Sequence, residues 1–192
     1  MQAALAVLLA VLTGCAHEAT PPFVRPRAVL LIRHAEKPAD ASDVHLSPEG
    51  RKRADALPDL FKKTDARPDP LPTPDVIIAA RASKHSNRPV ETVTPLAKAL
   101  KLDVDATHAN DDYPDLVEKL YTTPKYEGKV ILICWHHRNL PEFATMLGAS
   151  GVPDKWKDPV FDRVWVVTFG EKGENTPLTK RPQALMPRDA KE

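Results

Sequence analysis

Four short apolar runs limit how this chain can fold: Val29 to Ile32, Val76 to Ala80, Val130 to Trp135 and Val164 to Phe169. Each is nearly continuous rather than alternating, the pattern of strands buried on both faces, and such strands belong to mainly parallel sheets covered by helices. Helical segments lie between them. Ser47-Pro48-Glu49 offers an N-cap with proline in the first turn, and Ala54, Leu57, Leu60 and Phe61 recur at helical spacing, although Pro58 should kink or break that helix. A second helix starts at Ser86 or Asn87 ahead of Pro89 and places Val90, Val93, Ala97 and Leu100 on one face, with an irregularity expected at Pro95. Asp111 or Asp112 caps a third, whose inward residues are Leu116, Val117, Leu120 and Tyr121. The fourth follows Asn139, buries Leu140, Phe143, Ala144 and Leu147, and stops at Gly148. Strands alternating with helices predict an α/β domain: a three-layer α/β/α sandwich around a mostly parallel central sheet.

The 192 residues suit one domain with a short appendage. Lys and Arg number 27 against 26 Asp and Glu, a net charge of +1, so the chain lacks the basic field that nucleic-acid binding draws on. Residues 1–15 read as an export signal, because Ala3 to Leu12 contains only Ala, Val and Leu, a run too short to span a bilayer. Met1 to Ala4 carries no Lys or Arg, a departure from the usual positive start of such signals. Leu12-Thr13-Gly14-Cys15 resembles the lipobox of bacterial lipoproteins, which implies that Cys15 is lipidated and that the protein is held at the cell envelope by an N-terminal lipid anchor. Residues 16–27 then form a proline-rich tether, and residues 28–192 the folded domain. The other cysteine, Cys134, sits inside an apolar run and reads as a small buried hydrophobe.

In open α/β sheets ligands bind beyond the carboxyl ends of the strands. Three of the four runs exit there into cations or imidazoles: Arg33-His34-Ala35-Glu36-Lys37, then Arg81 to Arg88, then His136-His137-Arg138-Asn139. Such convergence describes an anion pocket. Phosphate suits it, since guanidinium groups grip phosphate oxygens bidentately and helix starts after Asn87 and Asn139 offer backbone N–H donors. An imidazole among cations stays neutral, and its bare ring nitrogen is a nucleophile toward phosphorus, which singles out His34.

Leu31-Ile32-Arg33-His34-Ala35-Glu36 resembles the Arg-His-Gly-Glu signature of the histidine phosphatase superfamily, the phosphoglycerate mutase-like proteins, with Ala35 where Gly is more usual. Ser86 to Thr92 is similar to that family's second motif, an Arg four residues before a Thr, and Trp135 to Pro141 occupies the place of its second histidine. The resemblance implies His34 as nucleophile, transiently phosphorylated, with Arg33 and Arg88 as phosphate clamps. It implies a second imidazole from His136 or His137, with His137 preferred. It also implies an acid for the leaving group, for which Asp111 and Asp112 are the candidates and Asp105 a weaker one. Glu36 is a second choice for that acid and suits better the task of orienting Arg33.

The function expected is a metal-independent phosphomonoesterase without a cofactor, acting on a phosphorylated small molecule or a phosphoprotein. Protein phosphohistidine, sugar phosphates and small phosphomonoesters remain open, as does the oligomeric state. An alternative is a catalytically silent envelope protein that uses the same pocket to hold an anion. A metal hydrolase built from His34, His136 and His137 is disfavoured, because flanking arginines repel a cation. Lys37, Lys84 and His85 either rim the pocket or form a solvated basic edge, His45 and His108 receive no role, and Arg51-Lys52-Arg53 reads as helix surface.

Overall fold

The computed structural model describes residues 23–170, 174 and 176–189. The expected export signal, Cys15 and residues 16–22 of the expected tether lie outside the described residues. All four apolar runs form strands. In chain order the elements are β1 (Ala28–Arg33), α1 (Pro48–Ala56), β2 (Val76–Ala79), α2 (Arg88–Leu100), β3 (Val104–Asp105), α3 (Tyr113–Thr122), β4 (Val130–Trp135), α4 (Leu140–Met146), β5 (Arg163–Thr168) and β6 (Thr179–Pro182). They build one six-stranded sheet of order β3-β2-β4-β1-β5-β6.

β1 runs parallel to β4, β4 to β2, and β2 to β3, whereas β5 lies antiparallel to β1 and β6 antiparallel to β5. Successive side chains leave opposite faces of a strand, so a continuous apolar run feeds two cores at once. Val29 and Leu31 join Ile131, Ile133 and Trp135 beneath α3 and α4, which contribute Leu116, Leu120, Leu140 and Phe143. Leu30 and Ile32 join Leu132 and Cys134 on the other face, beneath Val93 and Leu96 of α2 and Leu57 and Leu60 of the turn after α1. The result is the expected three-layer sandwich with a mostly parallel centre. Each fully buried Leu or Ile contributes roughly 1.5–3 kcal/mol, which is why the central strands can dispense with polar residues.

The helix boundaries follow local chemistry. Ser47 caps α1, its hydroxyl oxygen accepting from the Gly50 N–H at 3.0 Å, and Pro58 ends the α-helix in a 3₁₀ turn, Leu57–Phe61. α4 gives way to Gly148 at φ 84°, a left-handed conformation that glycine adopts without strain. Three expectations need correction. α2 runs through Pro95 as a single helix. β3 and β6 carry no apolar run, being two residues long and Thr-Lys-Arg-Pro respectively, and escape a hydrophobicity reading. The end of the expected tether belongs to the body: Val24 is buried, its N–H donates to the Tyr121 carbonyl at 2.8 Å, and the Arg27 N–H donates to Lys129 at 2.8 Å. Among the described residues no helix is long and apolar enough to cross a membrane.

One close approach fixes the loop that leaves β1. A Cβ placed on Gly50 would lie 2.3 Å from the Glu36 carbonyl oxygen, which already accepts the Ser47 N–H at 3.0 Å. Gly50→Ala should therefore destabilise the fold by about 1–3 kcal/mol in urea denaturation, as overpacking against backbone does. A midpoint equal to that of the parent protein would contradict this reading of the contact.

Candidate active site

Register brings the site together. β1 and β4 end level, with Arg33 opposite Trp135, and the His34 N–H donates to the Trp135 carbonyl at 3.1 Å. Arg33 and His34 are both buried. His34 Nδ1 lies 2.7 Å from the Ala35 carbonyl oxygen, which can only accept, so the proton sits on Nδ1 and the lone pair on Nε2. The Ala35 N–H donates to the Thr92 hydroxyl at 2.9 Å, and that hydroxyl donates to the Arg88 carbonyl at 2.7 Å. Thr92 thereby ties the loop carrying the imidazole to the first turn of α2. The Ala35 methyl packs with Leu46 and Ala54, which gives a physical reason for a residue larger than glycine there.

Both guanidinium groups are aimed by backbone carbonyls and not by carboxylates. Arg33 Nη1 donates to the Asp158 carbonyl, and its plane lies 3.9 Å from the Phe161 ring centroid. Arg88 Nη1 donates to the Asp43 carbonyl at 2.7 Å and Nη2 to that of His85 at 3.3 Å. The Nε of each is buried with no hydrogen-bond partner among the described residues. Burial lowers the pKa of both, that of Arg33 to about 10, which still leaves it cationic at neutral pH. The charges of both side chains act on His34.

His136 is the imidazole that meets His34. Its ring stands edge-on to His34, with centroids 5.4 Å apart. His137 instead turns outward and places Nε2 2.5 Å from Asp158 Oδ1. His136, and not the preferred His137, packs on His34 for a simple reason: His136 follows β4 as His34 follows β1, and paired parallel strands in register set the two side by side. Burial, reinforced by nearby cations, holds both rings neutral, with the pKa of His34 pushed down to about 3 and that of His136 to about 4.

The candidate acids separate clearly. Asp111 is exposed, accepts from the side-chain amides of Asn110 at 2.9 Å and Asn139 at 3.2 Å, and its charge acts on His136. Asp112 turns back into its own loop, where it accepts the Ala109 N–H at 2.8 Å. Asp105 accepts from Thr107 and approaches Lys119. Glu36 neither orients Arg33 nor faces the imidazoles: its carboxylate is held by Arg53 Nη2 at 2.7 Å and Nε at 2.9 Å. Arg53 is buried and also grips Asp189 at 2.7 Å, so reading it as helix surface was incorrect. Burial opposes its charge, but the two carboxylates outweigh that and raise its pKa.

Thr92, Asp158 and Phe161 were not foreseen as site residues. Asp158 and Phe161 precede β5, and only because β5 is antiparallel does its start lie at the carboxyl end of β1. The Thr of the second motif was the one available signal for Thr92. Lys37, Lys84 and His85 are exposed, as a rim would be. Among the described residues no group of three or more His, Cys, Asp or Glu could hold a metal ion.

No protein-family model matches the sequence, and no curated protein matches it. Solved structures do. The protein histidine phosphatase SixA complexed with tungstate is similar at 15% identity and a TM-score of 0.54, covering 80% of this chain and 94% of that one. The native mycobacterial glucosyl-3-phosphoglycerate phosphatase is similar at 13% identity and a TM-score of 0.50, covering 81% of this chain and 97% of that one. Likeness at such identity speaks for the architecture, which is the phosphoglycerate mutase-like fold of these phosphatases.

The neutral imidazoles carry a pH signature. Unfolding returns them toward the ordinary value of 6.5, so between about pH 6.5 and 4 the unfolded chain binds more protons than the folded one, and stability falls as the solution is acidified. Unfolding in this window should take up roughly two protons from this pair. Denaturation midpoints followed against pH should flatten in the His34→Asn, His136→Asn double variant; an unchanged slope would refute the burial argument.

Proposed function

We propose that this protein is a phosphatase of the histidine phosphatase type, hydrolysing phosphomonoesters through a phosphohistidine on His34 Nε2. The observation that carries the reading is an imidazole whose tautomer leaves Nε2 free and on which two buried cations, Arg33 and Arg88, both act. A phosphate dianion suits two such cations and meets a nucleophile that protons do not occupy at neutral pH.

In the first step the Nε2 lone pair forms a bond to phosphorus while the bond to the leaving oxygen breaks. Arg33, Arg88 and His136 stabilise the charge on the equatorial oxygens, a task of positioning and electrostatics. The leaving oxygen takes a proton, for which we propose Asp111, the one candidate acid electrostatically linked to His136 and open to solvent. Water then attacks phosphorus, giving a proton back to Asp111 as its oxygen–phosphorus bond forms and the nitrogen–phosphorus bond breaks, which releases phosphate and returns the electron pair to Nε2. A silent anion-binding role is the second reading; one observation favours it, namely that Asp111 already accepts from Asn110 and Asn139 as a purely structural loop clasp would.

Hydrolysis of p-nitrophenyl phosphate in EDTA decides between them. Turnover should fall by at least about 10³-fold in His34→Ala, with an acid-labile phosphoryl adduct trapped on the parent protein. Asp111→Asn should spare this ester, whose leaving group needs no acid, and slow alkyl phosphates by about 10²-fold or more. Phosphate binding with neither turnover nor adduct would establish the silent role, and turnover unchanged in His34→Ala would overturn the nucleophile.

On the Leu12 to Cys15 motif alone, we propose that the protein works at the cell envelope with Cys15 acylated. Metabolic labelling with palmitate should mark the parent chain and not Cys15→Ala. Equal labelling, or none in either, would remove the anchor.

A further inference from the structure

We propose, on the phosphatase reading in which Arg88 grips the phosphoryl group, that Glu91 is a positioning residue which sets the place of the Arg88 guanidinium through the chain segment Asp43 to Leu46.

That segment is tied to the first turn of α2 at each of its four residues. The Arg88 Nη1 donates to the Asp43 carbonyl at 2.7 Å, and the Asn87 N–H to the Val44 carbonyl at 2.9 Å. Glu91, one turn along the helix from Arg88, uses both carboxylate oxygens on the other two residues. Its Oε2 accepts the Leu46 N–H at 2.8 Å, and its Oε1 stands 2.5 Å from His45 Nδ1. The Asp43 carboxylate accepts the His45 N–H at 2.9 Å, which closes a turn between the residue that Glu91 holds and the carbonyl that aims Arg88.

Hydrogen bonds carry this placement because packing does so on one side only. Leu46 is buried against Ala35 and Ala54, but a cavity of about 340 Å³, lined by His45, Leu46, Ala54, Thr94 and Pro95 among others, opens beside the Glu91 pair. Without the carboxylate, the Leu46 N–H and the His45 ring lose their acceptor and the segment has empty space to move into.

Glu91 can also reach Arg88 through space, since the charges of Asp43 and Glu91 both act on that guanidinium. The two routes differ in sign. A carboxylate acting by charge alone competes with a bound anion for the cation, so its removal tightens anion binding. A carboxylate acting by position improves the grip, so its removal loosens it.

Calorimetry with inorganic phosphate on the full chain reads the clamp without turnover, and thermal unfolding checks that each variant is folded. Arg88→Ala should weaken phosphate binding by about tenfold or more, as loss of a charged donor does. Glu91→Ala should weaken it by about fivefold, the worth of one net hydrogen bond, whereas Glu91→Gln, which keeps the acceptor and lacks the charge, should stay within about twofold of the parent. Glu91→Asp keeps the charge on an arm one methylene shorter and should lose affinity as Glu91→Ala does; it carries the test if the alanine variant does not fold. In the Arg88→Ala background neither Glu91→Ala nor Glu91→Asp should cost anything further, because a residue acting through Arg88 then has nothing left to place. Unchanged or tighter binding in Glu91→Ala and Glu91→Asp, an equal loss with and without Arg88, or a loss in Glu91→Gln as large as in Glu91→Ala would each overturn the positioning role. A loss in Arg88→Ala with none in the Glu91 variants strikes that role alone, whereas parent-like binding in Arg88→Ala removes the clamp of the phosphatase reading and the role of Glu91 with it.

Discussion

Everything at the site follows from two neighbouring parallel strands that end at the same level. Because Arg33 sits opposite Trp135, the next residue on each strand is an imidazole, and the two rings meet without any loop having to reach. A slip of one residue would send Arg33 and His34 to exchanged faces of the sheet. The apolar runs forbid that slip, since it would also exchange the residues buried under α2 with those buried under α3 and α4. The packing of hydrophobic side chains on both faces is therefore what sets the position of the paired imidazoles.

Burial of charge is the second organising fact. A guanidinium as enclosed as that of Arg33 is costly to desolvate unless its donors find acceptors. Here the acceptors are neutral carbonyls and the face of Phe161, which orient the group without cancelling its charge. Elsewhere the chain uses the opposite solution: Arg53 is neutralised by Glu36 and Asp189 and serves to fasten the carboxyl-terminal segment to the loop after β1. The contrast separates a cation that keeps its charge from one whose charge is consumed by structure, a distinction that residue type alone does not reveal.

The sequence made the sheet and most helices legible because continuous apolar runs and proline-marked helix starts are local signals. The same signals mark Arg33 and His34, at the end of the first run, and Arg88, at a proline-marked helix start. What it concealed depended on direction and partner choice. β5 reads like the parallel strands, yet it runs the other way, and that reversal delivers Asp158 and Phe161 to the site. His136 and His137 differ only in which one continues the register of β4. Glu36 looked like a partner for the adjacent Arg33, and nothing local in Arg51-Lys52-Arg53 marks the third residue as the buried one that claims it.

The chain enters its body through Val24 to Arg27, alongside Lys129 at the start of the β1 and β4 pair. Arg33 and Trp135 close that pair at its far end, about 17 Å away along six residues. Whatever is joined upstream of Phe23, whether a fusion partner, an immobilising surface or a lipid, is thus attached at the sheet's rear rim. Arg33 and His34 stand at the opposite end of the strands, so whatever is attached at the rear is kept a full strand length away from the paired imidazoles.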